Sequence, residues 1–189
     1  MEALLGIFSA FGLSASAGLN AYIPLLVVAL MARFTDLIHL NPPYDALTSW
    51  WIIALLIFLS LVEFLVDKFP VINHINDIFL QSLVRPAAGA IVFAASTNVI
   101  DDVHPILALA LGLLVAGSVH TVKSVAIRPA VSVATAGTGD IPVSIAEDVT
   151  STTLSILSIV VPAAVFILIV VLCAWFLWRQ FSHPSPKSY

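Results

Sequence analysis

Charge is what this sequence lacks most. Only 10% of its 189 residues are Asp, Glu, Lys or Arg, where a soluble domain carries about a quarter. Water therefore cannot be the main solvent of the folded chain. Basic residues are the scarcer sign, 7 against 11 acidic ones, and they form no stripe, so nucleic-acid binding has no support. The single cysteine, Cys173, lies inside the last apolar run, and a disulfide framework is impossible. No two His, nor His with Cys, stand at a recognised ligand spacing, which leaves metal binding weakly founded and calls for no cofactor. HExxH and GxSxG are missing, as is the repeated β alternation of a barrel. The N-terminus, Met-Glu-Ala-Leu-Leu, has no basic region of a signal peptide, so it is expected to stay as a membrane segment.

What is present is hydrophobicity: 60% of the residues are apolar and the mean hydropathy is +1.09. Helices satisfy their own backbone groups in lipid. The expected fold is all-α: one domain over residues 1–189, a polytopic transmembrane bundle of about six spans with interrupted helices.

Ala3 to Met31 exceeds the ~20 residues a span needs, and its middle, Ser14 to Pro24, is small, polar and Pro-terminated. That pattern reads as close helix packing or as a kink offering backbone and Asn20 to a cavity. Arg33 to Leu47 reads as a polar loop in which Asn41-Pro42-Pro43-Tyr44 is a strong helix stop, and Trp50 and Trp51 stand where an aromatic belt would. A second span reaches about Phe64, with Glu63 and Asp67 sharing a helical face. Val71 to Val84 is amphipathic and is expected as a short helix in the interface. Pro86 to Ile100 and Pro105 to Ile127 read as spans, and Thr150 to Trp178 as a last long helix containing Pro162.

Arg128 to Asp148 lies between two of the most apolar stretches, and Gly137, Gly139 and Pro142 interrupt it. If it crosses the bilayer, Lys68, Arg85, Lys123, Arg128, Arg179 and Lys187 share one side, with Arg33 opposite. The positive-inside rule then puts both termini in the cytoplasm. Arg85-Pro86-Ala87 echoes Arg128-Pro129-Ala130, and both are expected to open helices, in a hairpin repeat over 48–100 and 105–146. Free N–H groups at such a helix start, with an adjacent Arg, would attract an anion; the plainer reading is a lipid-headgroup anchor.

Glu63, Asp67, His74, Asp77, His120, Lys123, Glu147 and Asp148 flank or enter apolar runs. Charges at membrane depth are expensive and are paired or functional, so they form a candidate path for protons or cations. Gly18, Asn20, Arg85, Arg128, Gly137, Gly139 and Asp140 are the candidate solute-binding set. Gly137-Thr138-Gly139-Asp140 also matches the GxGD pattern and so resembles intramembrane aspartyl proteases. That chemistry needs a second facing carboxylate. Tyr44-Asp45 lies in a Pro-rich loop and the Pro-Ala-Leu element is missing, making this the weakest reading.

Ser14 to Pro24, Glu63 with Asp67, His74 and Asp77, Arg85-Pro86, His120 with Lys123, Arg128-Pro129, Gly137, Gly139 and Glu147-Asp148 together resemble the bacterial membrane family called domain of unknown function 4126. The likeness covers nearly the whole chain and implies a bacterial inner-membrane protein, without supplying an activity. From the residues themselves the leading expectation is a small homo-oligomeric transporter or channel-like protein, most simply a dimer, for a small polar or anionic solute, coupled to protons or cations. The alternative is a structural or lipid-binding membrane subunit.

Overall fold

The computed structural model describes residues 2–67, 81–97 and 103–182. Every regular element among them is helical. Helix α1 (Glu2–Leu19) gives way to α2 (Tyr22–Phe34) across Asn20 and Ala21. Pro24 sits in the first turn of α2, where its missing N–H has no helical carbonyl to meet. A 3₁₀ turn, Tyr44–Thr48, precedes α3 (Trp50–Val66), whose cap Ser49 accepts the Ile52 N–H at 3.4 Å. Helix α4 covers Ser82–Thr97 and α5 covers Pro105–Val122, capped by His104.

Helix α5 does not stop at its end. A π-helical turn, Lys123–Ile127, carries it into α6 (Arg128–Thr135), a continuous run of 31 residues. The widened turn lies where the ring of Pro129 would otherwise crowd the preceding carbonyls. Neither Arg-Pro pair opens a free helix end, contrary to expectation: Pro86 lies inside α4, and Pro129 continues a helix already running. The free N–H groups anticipated beside Arg128 are therefore absent from that position.

Ala136 and Gly137, at φ 50° and 84°, end α6. The Gly137 N–H returns to the Ser132 carbonyl at 2.8 Å, a left-handed helix stop. Helix α7 (Asp140–Val160) begins ten residues before the expected last helix, and Val161 separates it from α8 (Pro162–Ser182). Pro162 forces that break, because the residue before a proline avoids the helical region. The expected interrupted span is thus α6, a tight turn, and the first turns of α7. The expected interfacial helix, with His74 and Asp77, lies for the most part outside the described residues.

Small residues set the packing. Helix α1 lies against α4, α5, α7 and α8, and α4 packs on α5 most closely. A Cβ on Gly112 would fall 2.6 Å from Phe93 Cβ and 2.8 Å from Ala90 Cα, and one on Gly18 would fall 2.6 Å from the Ala116 carbonyl oxygen. Such approaches let hydroxyls reach across helices. Ser14 donates to the Gly89 carbonyl at 2.9 Å, and Ser16 to the Ser151 carbonyl at 2.7 Å with Ser155 Oγ 2.6 Å away.

Beside its apolar core the fold buries several charged side chains and exposes several large apolar ones. Trp51 is 88% exposed and Val133 83%, while Arg85 is 0% and Lys123 1% exposed. Arg and Lys are almost never fully buried in water-soluble folds unless paired. Two helices, Pro105–Thr135 and Asp140–Val160, are long and apolar enough to cross a membrane.

Candidate functional site: an ionic junction at the helix break

Where α1 stops and α2 starts, two helix ends face each other with backbone groups that their own helices cannot pair. Side chains complete them. Asn20 Oδ1 accepts the N–H groups of Tyr22 and Ile23 at 3.1 Å each, and its Nδ2 donates to Asp148 Oδ1 at 3.0 Å. The Ala21 N–H reaches Glu63 Oε1 at 3.5 Å. On the α1 side, Lys123 Nζ donates to the Leu19 carbonyl at 2.8 Å. A cation at the end of α1 and an anion at the start of α2 also match the two helix dipoles.

These contacts join the break to the end of α3, the start of α4 and the α5–α6 junction. Arg85 Nη2 lies 3.0 Å from Glu63 Oε1 and 3.6 Å from Asp67 Oδ2. Its Nε donates to Glu63 Oε1 at 3.3 Å, and its Nη1 lies 3.4 Å from His120 Nδ1. Arg128 Nη2 bridges Asp67 Oδ2, at 3.2 Å, and Glu147 Oε2. Lys123 Nζ reaches Glu147 Oε2 at 3.0 Å. Glu63 and Asp67 are each 2% exposed, His120 4% and Glu147 9%. Buried charges of this kind survive by pairing, and removing one partner leaves the other uncompensated.

Beside the break lies a cleft that Asn20 and Asp148 reach but the ion-paired side chains do not. A cavity of about 540 Å³ is walled mainly by Ile23, Leu26, Ile57, Leu61 and Phe64, with Asn20, Ser60 and Asp148 supplying polar groups. The Asn20–Asp148 pair therefore belongs both to the repaired break and to an accessible cleft. Among the described residues no group of three or more His, Cys, Asp or Glu could hold a metal ion.

The chain's relationships follow from its whole length. The family described as Domain of unknown function (DUF4126) matches residues 7–181. The chain belongs to that family. No curated protein and no solved structure matches it.

In this DUF4126 chain, Asn20, Glu63, Asp67, Arg85, His120, Lys123, Arg128, Glu147 and Asp148 come together at one junction. Gly18 lies beside it, packed on Ala116 and Val119. Gly137, Gly139 and Asp140 do not join it: they form the turn past α6, eight residues and about 12 Å of helix beyond Arg128. That turn is closed by its own residues. Thr135 Oγ1 accepts the Gly139 N–H at 2.9 Å, and Ser132 Oγ donates to Asp140 Oδ2 at 3.2 Å. The partner of Asp140 is thus a serine, not a second carboxylate. His74 lies outside the described residues.

Sequence reasoning misses the polar face of α7. Ser144, Glu147, Ser151, Ser155 and Ser158 recur every three or four residues, and all are buried. That periodicity on an apolar helix is a legible signal for an inward-facing stripe.

Proposed function

We propose that this protein is a small multi-pass membrane transporter of the bacterial inner membrane, with about six crossings, both termini cytoplasmic and a homo-oligomeric assembly. Its cargo is a small anionic or polar solute, moved with protons or cations. The observation that carries the reading is the interrupted α1–α2 helix, whose loose backbone ends meet Lys123 and Glu63 inside a junction of three cations and four carboxylates among the described residues. Discontinuous helices with ionisable partners at membrane depth are the usual ground plan of transporter sites. The apolar exterior supports lipid as the solvent, and the cleft beside Asn20 and Asp148 supports an approach for solute.

A structural or lipid-binding subunit is the second reading, favoured by the close Gly89–Gly112 contact. Flux separates the two. Proteoliposomes holding the full chain are expected to pass monovalent anions or small polar solutes, with a dependence on a pH gradient. Substituting Asn20→Ala, which unties the break from Asp148, is expected to reduce that flux at least severalfold. Baseline flux of the unaltered protein across the whole panel overturns the transport reading and leaves the structural one.

A further inference from the structure

Glu63 is held unevenly. Its Oε1 receives the Arg85 Nε and Nη2 groups, at 3.3 and 3.0 Å, together with the Ala21 N–H. Its Oε2 is buried and has no hydrogen-bond partner among the described residues. A guanidinium would ordinarily grip a carboxylate with two parallel bonds to two oxygens. Here both guanidinium donors converge on one oxygen, and the second oxygen is buried without a donor among the described residues. A full carboxylate in that setting leaves part of its charge unsolvated, which a buried polar atom does not tolerate cheaply.

We propose that Glu63 is the proton carrier of the junction and that a monovalent oxyanion takes its place on Arg85 when Glu63 binds a proton at Oε2. This deepens the transport reading, and it rests on that reading for its physiological meaning. The chemistry is an exchange of partners. The proton enters from water and forms an O–H bond at Oε2, no other bond breaking. The neutral acid is a weaker acceptor than the carboxylate, so Arg85 Nε, and Nη2 beside its 3.6 Å approach to Asp67 Oδ2, can turn to an anion of planar, two-oxygen shape.

Charge conservation at a buried place makes the two events one. Whatever charge the junction carries, a proton alone or an anion alone alters it by a full unit, whereas both together alter it by none. Adding a further buried anion to the carboxylates already there is strongly disfavoured, so the anion does not enter without the proton. The groups that face Glu63 among the described residues are Tyr22 of α2, Asp67 at the end of α3, Arg85 of α4 and Lys123 of the π turn. His120 stands behind Arg85. Asp67 is shared with Arg128, and the Arg85 side chain is the group common to both carboxylates of α3.

The test uses the full-length protein in detergent and sodium nitrate, whose anion is planar and has no titratable proton of its own. Nitrate binding is followed by calorimetry and proton uptake by an indicator dye in weakly buffered solution. The unaltered protein is expected to take up one proton for each nitrate bound, its apparent affinity falling about tenfold per pH unit across the neutral range, as linkage requires. Glu63→Gln, fixed in the neutral form, is expected to bind nitrate with no proton uptake and with most of that pH slope removed. Nitrate binding by the unaltered protein without proton uptake overturns the coupling but leaves the transport reading standing. The coupling through Glu63 is equally overturned if Glu63→Gln binds nitrate and keeps the full proton uptake. No nitrate binding by the unaltered protein at any pH overturns the oxyanion site itself, while flux of another solute in the vesicle assay would still uphold transport.

Discussion

Two places in this chain break a helix with nearly the same vocabulary. One reads Ala17-Gly18 and then Ile23-Pro24; the other reads Ala136-Gly137 and then Ile141-Pro142. At the first, the loose backbone groups are taken up by Asn20, Glu63 and Lys123, two of these from other helices, and the surroundings are buried. At the second, Ser132, Thr135 and Asp140 close the turn among themselves. The local grammar is shared, and the difference is depth. A break at the surface is completed by its neighbours in sequence or by water; a break in the interior must be completed by the fold, and only the second situation gathers charge.

The largest expected effect breaks the first region alone. Arg85→Met removes the cation that Glu63 and Asp67 share. Leaving buried carboxylates without it is expected to cost about 3–5 kcal/mol, measured by denaturant unfolding of the full chain in detergent. A loss below about 1 kcal/mol, the scale of a solvated surface pair, would place the junction in water and erase the contrast.

The two glycines allow a finer cut. A Cβ at Gly18 would meet the Ala116 carbonyl oxygen and Val119 Cβ at 2.6 Å, so Gly18→Ala must push α1 off α5. Overpacking of this kind is expected to cost about 2–3 kcal/mol. At Gly137 the added methyl has open space, its nearest neighbour being Asp140 Oδ2 at 4.0 Å. There only the φ of 84° resists, at about 1 kcal/mol. The adjoining Ala136 already holds φ 50°, so the turn carries non-glycine residues in that region. Parallel unfolding curves of the two variants check the order. Equal losses would mean that the turn is as constrained as the break.

This contrast also explains what can be read from the sequence. The helical class follows from composition and the lack of strand alternation, and the apolar runs locate most of the helices. The charged residues of the junction are visible as charges at the borders of those runs. Their partners are not. That Lys123 serves Leu19, or that Arg128 joins Asp67 to Glu147, depends on helix ends 19 to 104 residues apart in the chain meeting at one point. Arg128-Pro129 reads locally as a helix start, because proline suits a first turn; the π-helical turn that lets the helix run on is a compromise no local rule announces. Gly137 and Gly139 likewise signal an interruption correctly while saying nothing of its depth.

The smallest expected effect bears on the turn and on the protease reading together. Asp140→Asn keeps an oxygen that can accept the Ser132 hydroxyl and removes one negative charge from the first turn of α7. The favourable meeting of an acid with a helix start is worth about 0.3–1 kcal/mol at an exposed site, so the stability loss is expected to stay under about 1 kcal/mol. Solute flux should be unchanged, since Asp140 touches none of the junction residues. An aspartyl protease would behave differently: the variant would fold and lose all activity, because the carboxylate itself activates water. Flux abolished by Asp140→Asn with the fold intact would move the working site from the buried break to the exposed turn. The closure of that turn by Ser132 and Thr135 would then be a resting arrangement, and the two interruptions would exchange roles.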